Sequence, residues 1–291
     1  MTVKKFNREE DYERISQFLS DCYQENQNML CWLPERFDDL IFRVDVLYKE
    51  ERGQKASADY IYLFEKNDEI VGVILPDGDS FNSCIKNGYE FLFKEMLDLA
   101  EKELLPLFST DENGEVPFLV ISHDSLSYQA EELLKRGYQK DTEEDYDNVQ
   151  YPLETNYEIS LPNGFHPIDD DGNLEGDFKE GKLSYQGRKN SKFYKDSFES
   201  LIVTDDGDIC TYCFCYVNKE NSTAFIEPVC TREKYRGRGF CRQMLYGVIN
   251  RLKDKNIQKA YINSYDWRKK VYNSCGFKTE DSIGFWYKKI R

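Results

Sequence analysis

The order of secondary-structure signals repeats once along the chain, and this repeat is the strongest constraint on its fold. A turn between two β-rich runs contains Asp68 in the first half and Gly207 in the second, 139 residues apart. A short helix ends at Gly137 in the first half and at Gly276 in the second, again 139 residues apart. A repeat of this length indicates two copies of one mixed α/β unit. With 291 residues, the chain has room for both.

The two halves contain similar sets of predicted elements. In the first half we expect strands near Val3–Phe6, Tyr60–Phe64, Ile70–Leu75 and Phe118–Ile121, and helices near Glu9–Tyr23, Tyr89–Leu105 and Tyr128–Arg136. In the second half we expect strands at Ile159–Leu161, Ile202–Val203, Ile209–Val217, Ala224–Thr231, Ile257–Asn263 and Ile283–Lys288, and helices near Ser191–Leu201, Phe240–Lys253 and Asp266–Cys275. These patterns predict an α/β protein with two domains, residues 1–154 and 155–291, since Pro152 and Pro162 punctuate the junction.

Charge is distributed unevenly between the two halves. Residues 1–154 carry 16 Lys and Arg against 35 Asp and Glu, a net charge of −19, whereas residues 155–291 carry 23 against 19, a net charge of +4. The acidic half would repel nucleic acid, so we expect no nucleic-acid partner. No apolar run approaches the ~18 residues that span a bilayer, so we expect no membrane partner. The first eight residues include Lys4, Lys5 and Arg8 and lack the apolar stretch of a signal peptide, which predicts a cytoplasmic location.

The scarcity of histidine limits the kinds of active site. Only His123 and His166 occur, far apart in the sequence, which disfavours a histidine zinc site or a Ser-His-Asp triad. Nine cysteines without an export signal indicate reduced thiols. Cys213 and Cys215 share one face of a predicted strand and Cys210 points to the other, so we expect core thiols and no bound metal.

The clearest chemistry lies in a predicted strand, a basic glycine turn and an amphipathic helix. Gly237 and Gly239 allow a tight turn that directs several backbone N–H groups to one point. The helix N-terminus adds partial positive charge, and Arg236, Arg238 and Arg242 add full charges. The spacing lacks the Gly-Lys-Ser/Thr of a Walker loop and the third glycine of a dinucleotide fingerprint. This stretch predicts a cradle for a diphosphate, and a glycine loop with solvated arginines is the alternative.

Two motifs in the second half resemble those of the GNAT acetyltransferase superfamily. The family pattern Gln/Arg-x-x-Gly-x-Gly/Ala is similar to Arg236-Gly237-Arg238-Gly239-Phe240-Cys241, in which Cys241 stands where the family has Gly or Ala. A later pattern, an aliphatic residue and Tyr followed by three residues and Gly-Phe, is similar to Val271-Tyr272-Asn273-Ser274-Cys275-Gly276-Phe277. The chain thus resembles a tandem GNAT protein whose first copy is degenerate. The resemblance implies a mixed, mostly antiparallel sheet flanked by helices in each domain.

The resemblance also implies an acetyl-CoA site in the second domain. Two parallel strands, here Ala224–Thr231 and Ile257–Asn263, would splay apart and admit the pantetheine arm. Backbone groups of the first strand would bind this arm and the acetyl carbonyl, and those of the turn would hold the pyrophosphate. The implied donor-binding residues are Val229, Cys230, Thr231, Arg236, Gly237, Arg238, Gly239, Phe240 and Cys241.

Two residues are candidates for the acid and the base that acyl transfer requires. Tyr272, with an ordinary pKa near ~10, can donate a proton to the departing thiolate, and a core aromatic is the alternative. Glu227 is the candidate base, because a carboxylate in an apolar strand is unusual; a buried ion pair or an anchor for the substrate amine are the alternatives. We expect Glu227 on the same strand face as Val229 and Thr231. The helix N-terminus could lower the pKa of Cys241, but the family transfers directly, so we expect no acyl-enzyme.

The first half lacks both motifs. Asn87-Gly88 is all that precedes its helix, and Leu133 stands 139 residues before Tyr272. We therefore expect that this copy binds no CoA and serves as a structural or acceptor-binding partner, with its negative charge steering a cationic amine to the site. Leu75–Lys86 and Pro162–Asn190 are candidates for shaping the acceptor pocket.

The leading interpretation is an acetyl-CoA-dependent N-acetyltransferase that moves an acetyl group directly to a primary amine of a small molecule or peptide. One alternative is a regulatory CoA-binding protein that has lost turnover, to which Cys241 points. A CoA-independent scaffold is another. The sequence leaves open the acceptor, the use of acyl groups other than acetyl, and the oligomeric state.

Overall fold

The computed structural model describes residues 1–46, 55–78, 80–170 and 187–290. The chain divides into two compact units, one of Met1–Asp145 with Asp281–Arg291, the other of Tyr146–Glu280. The sequence placed the only boundary near Glu154 and assigned the last strand to the second domain. That strand belongs instead to the first unit, because it pairs with a strand of that unit.

The first unit is a mixed sheet with helices on both faces. Its elements are β1 (Thr2–Lys5), α1 (Arg8–Asn26), α2 (Pro34–Asp39) with a following π-helical turn (Leu40–Val44), a 3-10 turn (Ser57–Tyr60), β2 (Tyr62–Lys66), β3 (Glu69–Asp77), β4 (Ser80–Ile85), α3 (Leu92–Glu103), a 3-10 turn (Leu105–Leu107), β5 (Val116–His123), α4 (Ser127–Lys135) and the start of β6 (Gln139–Gln150). The strand order is β1-β2-β3-β4-β5, and Ile283–Ile290 of the last strand, β12 (Lys278–Ile290), pairs with β5. The β4–β5 pair is parallel and the others are antiparallel.

Alternating side chains of the β2–β3 hairpin enter two separate cores. Leu63 and Val73 pack with the residues of α1 and α2, whereas Phe64 and Ile74 pack with those of α3. The period of two along a strand is the cause, since successive side chains point to opposite faces. The predicted hairpin is confirmed, with Asn67-Asp68 at positive φ (52° and 66°), as the tightest hairpin turns require.

The second unit is also a mixed sheet with helices. Its elements are the end of β6, β7 (Phe165–Asp170), β8 (Phe198–Thr204), β9 (Ile209–Asn218), β10 (Thr223–Thr231), a 3-10 turn (Glu233–Tyr235), α5 (Phe240–Asp254), β11 (Lys259–Tyr265), α6 (Asp266–Ser274) and the start of β12. The strand order is β6-β11-β10-β9-β8-β7, with β10 and β11 parallel and β7 to β10 antiparallel. Phe240, Met244, Val248 and Leu252 are at most 2% exposed, which confirms the predicted apolar stripe of α5.

Three local predictions were wrong. Ile159–Leu161 forms no strand; it lies along α5, where Ser160 N donates to Gln243 Oε1 at 2.8 Å. The helix expected at Ser191–Leu201 does not form: residues 192–196 are turns, and strand β8 starts at Phe198, because Phe198–Val203 pairs with β9. Leu75–Lys86 is not irregular, since most of it forms the buried hairpin of β3 and β4. Within Pro162–Asn190, residues 171–186 lie outside the described residues.

Across the described parts of the chain, every helix falls short of the length and apolarity that crossing a bilayer requires.

Candidate functional site

A wedge-shaped gap opens in the second unit where two parallel strands separate. The β10–β11 pairing joins Thr223–Phe225 to Lys259–Tyr261 and ends there. On its other side β10 stays paired with β9 as far as Thr231, which faces Thr211. The far half of β10 therefore presents its backbone N–H and C=O groups toward the gap, where an extended amide-bearing ligand can pair with them.

A β-bulge lies at the start of this gap. Ile226 pairs with Cys215 and Val229 pairs with Cys213, so Glu227 and Pro228 stand opposite a single residue of β9. Ile226 and Val229 both pack against the same core, which strict alternation forbids. The prediction that Glu227, Val229 and Thr231 share one face assumed strict alternation. That assumption fails between Ile226 and Val229, where the bulge lies.

The basic turn after β10 contains two glycines that require their backbone freedom. Gly237 has φ of +74° and Gly239 has φ of +80°, a region that other residues rarely adopt. Gly239 is the N-cap of α5, and no side chain among the described residues caps this helix end. The first-turn N–H groups and the positive end of the helix dipole are therefore available to an anion.

Asp208, in the turn before β9, anchors the basic turn. Its carboxylate forms ion pairs with Arg232 and with Lys234, the latter at 2.5 Å, and accepts a hydrogen bond from the Tyr235 hydroxyl at 2.7 Å. Lys234, followed by Tyr235, holds the pKa of the Asp208 carboxyl below its usual range. Two cations of the turn are thus neutralised, and its position is fixed against the β8–β9 hairpin.

Arg238 is held on a set of aromatic rings. Its guanidinium lies 4.7 Å from the ring centroid of Phe165, 5.0 Å from that of Phe240 and 5.9 Å from that of Tyr235. These contacts orient the side chain by cation–π attraction. The arginines predicted as one cluster are all exposed but differ in their contacts: Arg238 packs on aromatic rings, whereas Arg236 Nε donates to Thr231 O at 3.2 Å.

The gap, the turn and α6 enclose a cavity of about 900 Å³. All the residues predicted to bind the donor line it, namely Val229, Cys230, Thr231, Arg236, Gly237, Arg238, Gly239, Phe240 and Cys241. Tyr272 lines it as well. A space of this size accommodates an extended cofactor-sized ligand.

Tyr272 is the most buried of the candidate catalytic groups. The residue is 3% exposed, and burial raises the pKa of its hydroxyl well above the ordinary value. The nearby Cys241 and Glu227 raise this pKa further, whereas Arg268 lowers it. The Tyr272 hydroxyl therefore keeps its proton at neutral pH, as a proton donor must. Glu227 is half-buried and its charge acts on the pKa of Tyr272, but it is not among the residues that line the cavity.

The thiols differ from expectation in two respects. Burial raises the pKa of Cys241 to about 12, so the lowering expected from the helix N-terminus was wrong: desolvation outweighs the dipole. Cys210 shares one buried core with Cys213 and Cys215, because a register shift between Ile202 and Val203 interrupts the alternation. Among the residues that the structure describes, no group of three His, Cys, Asp or Glu side chains is arranged to hold a metal ion.

The residues that sequence reasoning missed are Asp208, Trp267 and Arg268. Asp208 acts on residues 24 or more positions away, so no local pattern could point to it. Trp267 and Arg268 begin α6 and line the cavity. Their one sequence signal is spacing, since Trp267 precedes Val271 by four residues on a helix.

Residues 136–277 match the sequence model of the acetyltransferase (GNAT) family, and both motifs of the cavity fall within or at the end of this range. This segment belongs to the GNAT family. The family is that of N-acetyltransferases that use an acyl-CoA donor. A search of curated protein sequences found no match.

Solved structures similar to the chain have the same fold over its whole length. A GCN5-related N-acetyltransferase from Sphaerobacter thermophilus has a TM-score of 0.61 at 14% identity, over 100% of this chain and 96% of that one. A tandem GNAT protein from the clavulanic acid biosynthesis pathway has a TM-score of 0.62 at 11% identity, over 99% and 98%. An acetyltransferase from the GNAT family of Colwellia psychrerythraea has a TM-score of 0.53 at 12% identity, over 99% and 100%. The predicted fold of two tandem GNAT-like units is confirmed.

Proposed function

We propose that the chain is a cytoplasmic N-acetyltransferase that binds acetyl-CoA in the second unit and transfers the acetyl group directly to a primary amine. The observation that carries this proposal is the meeting, in one cavity, of the glycine turn, the uncapped end of α5, the open edge of β10 and Tyr272. The cavity joins an anion-binding helix end to an open strand edge. This arrangement fits a ligand in which a diphosphate is followed by an amide-bearing arm.

Each part of the donor has proposed partners. The N–H groups of the turn and of the first turn of α5 bind the diphosphate, with added charge from Arg236 and Arg242. The edge of β10 at Val229–Thr231 binds the amides of the pantetheine arm. The position of Cys241 within the first turn of α5 leaves backbone N–H groups accessible, because its thiol is only half-buried and packs toward the core.

The proposed chemistry uses Glu227 and Tyr272 as a proton-transfer pair. Glu227 takes a proton from the ammonium of the acceptor, directly or through water, and the free amine forms a bond to the thioester carbon. The carbon–sulfur bond then breaks as Tyr272 gives its proton to the departing thiolate, and the tyrosinate so formed takes the second proton from the nitrogen, directly or through water, to leave the neutral amide. The raised pKa of Tyr272 suits this role, because the hydroxyl is protonated when the reaction begins.

The acceptor is proposed to be a cationic amine. Residues 1–154 have a net charge of −19, and a field of this sign attracts cations at long range. The first unit contributes no proposed donor site, since buried Leu133 stands at its counterpart of Tyr272.

The test uses the full chain, acetyl-CoA and a panel of polyamines, amino acids, peptides and aminoglycosides. We expect chromatography to detect free CoA and one acetylated amine in equal amounts. Tyr272→Phe, which keeps the ring and removes the proton, should bind CoA as tightly as the wild type and turn over slowly. Failure of calorimetry to detect any CoA binding would rule out the proposal.

A second candidate function is a regulatory protein that binds acyl-CoA without turnover. The observation that favours it is Cys241, a half-buried thiol at the position where the family pattern has Gly or Ala. CoA binding with no acetylated product from any amine, together with turnover in the Cys241→Ala or Cys241→Gly variant, would support this candidate.

A further inference from the structure

Trp267 differs from the other tryptophans of the chain in its exposure. The chain contains three tryptophans; Trp32 is 3% exposed and Trp286 is 6% exposed, whereas Trp267 is 71% exposed. Trp267 also lines the cavity that we propose as the donor site. A large aromatic ring left open to solvent inside a ligand cavity offers a surface for a flat ligand group.

The Trp267 ring is held in place by its neighbours. The Tyr265 ring lies parallel to it, with an angle of 2° and 6.5 Å between centroids. The Arg268 guanidinium lies over one face of the Trp267 ring, 4.4 Å from its centroid. A ring fixed in this way loses little conformational freedom when a ligand binds.

One face of α6 continues this surface. Val271 follows Trp267 by one helical turn and is 39% exposed, and Ser274 follows by two turns. All three line the cavity together with the basic turn before α5. The cavity thus has a flat apolar surface on α6 and anion-binding groups on the turn.

We propose that Trp267, with Arg268 beside it, is the stacking subsite for the adenine of the acyl donor. Adenine stacks readily on indole, and a guanidinium beside the stack attracts the phosphate carried by the adenosine. This inference rests on the proposed function, because it assumes that the basic turn holds the donor diphosphate. It assigns Trp267 to the recognition of the adenosine, the part of the donor that takes no part in acyl transfer.

The experiment uses Trp267 as its own reporter in the full chain. We expect CoA to change the emission of the exposed tryptophan and to protect it from acrylamide, whereas 4′-phosphopantetheine, which lacks the adenosine, leaves both unchanged. Trp267→Phe should abolish the signal. Because Trp32 and Trp286 are buried, they contribute a constant background.

Calorimetry with the same two ligands completes the test. Trp267→Ala should weaken CoA about tenfold and leave 4′-phosphopantetheine within about twofold of the wild type. The matched control is Phe91→Ala, an aromatic 63% exposed in the first unit, which should change neither. If Trp267→Ala weakened the binding of both ligands equally, or of neither, the adenine subsite would be overturned. The donor site would still stand, because the wild type binds CoA. Absence of CoA binding in the wild type would overturn both.

Discussion

The turn after β4 in the first unit and the turn after β10 in the second occupy the same place in the same strand–turn–helix–strand arrangement, but they treat an anion differently. In the first turn, the N–H of Gly88 donates to Glu90 Oε1 at 2.9 Å, so a carboxylate of the chain already takes the position of an anion. In the second turn, Gly237 and Gly239 precede an uncapped helix among exposed arginines. Among the described residues, no side chain caps the helix after either turn. The difference lies in the turns: the first already bonds a backbone N–H to a carboxylate, whereas the second presents exposed arginines.

The strands beside the two turns differ as well. The β3–β4 pairing of the first unit runs without a shift from Gly72 to Asp77, whereas β10 contains a bulge between Ile226 and Val229. A bulge redirects backbone groups of the strand toward its edge. The next four predictions test whether these local differences account for a donor site in the second unit alone.

The largest effect is expected at Tyr272, whose counterpart in the first unit by sequence offset is Leu133. Tyr272→Phe should lower kcat about a hundredfold or more, because the departing thiolate loses its proton donor, while the Kd for CoA stays unchanged. Tyr246→Phe, a half-buried tyrosine on α5, is the control and should be silent. As the pH is raised, kcat of the wild type should fall only above the ordinary tyrosine pKa of ~10, because burial raises the pKa of Tyr272 and the acid must be protonated. If raising the pH lowered kcat already below ~10, and Tyr272→Phe were fully active, this residue would be excluded as the acid.

The next effect compares two glycines of nearly equal conformation. Gly239→Ala and Gly88→Ala both place a side chain at positive φ (+80° and +86°), and each should cost about 1 kcal/mol of unfolding free energy. Only Gly239→Ala should weaken CoA binding, by about tenfold, because the turn at Gly239 must keep its conformation for its N–H groups to point at the diphosphate. Urea unfolding and calorimetry measure the two quantities. Equal loss of affinity in both variants would break the comparison.

A smaller effect is expected from the anchor of the second turn. Asp208→Asn removes the charge that binds Arg232 and Lys234, so the turn loses its fixed position and CoA should weaken about fivefold or less. The matched control is Asp205→Asn, a carboxylate of the same hairpin whose side chain is 75% exposed. If added salt did not reduce the difference between Asp208→Asn and the wild type, ion pairing would not be its cause.

The smallest signal is expected from Cys241. With a pKa of about 12, its thiol should resist iodoacetamide at neutral pH although it lines the cavity, and labelling should rise as the pH increases toward 12. The chain unfolded in guanidinium serves as the control and should label Cys241 readily. Peptide mass spectrometry measures both. Rapid labelling of the folded chain at pH 7 would show that the helix N-terminus prevails over burial.

Local patterns predicted the parts of this molecule that depend on neighbouring residues. The α5 stripe and the glycine turn lie within one stretch of sequence, so periodicity and glycine placement identified both. The first hairpin was equally visible, because Asn67-Asp68 separates two β-rich runs.

The errors share a cause in contacts between distant residues. The bulge after Ile226 depends on pairing with β9, and Phe198 joins a strand because β9 lies beside it. Asp208 pairs with Arg232, which lies 24 residues away. Trp267 becomes a candidate only when the structure shows that it lines the same cavity as the basic turn. Pattern reasoning has no access to such partners, and it therefore identified the basic turn without Asp208, which holds it in place.

The return of strand β12 to the first unit makes that unit depend on residues far along the chain. Ile283–Ile290 supplies β5 with its neighbour, so during translation β5 emerges with one edge uncovered until residues 283–290 have been made. A nonsense change near residue 280 would leave the glycine turn, α5 and α6 intact in sequence while unseating β5 more than 150 positions upstream. Dividing the gene near residue 154 would likewise give two fragments. The first fragment would lack the β12 strand that pairs with β5, because that strand would be part of the second fragment.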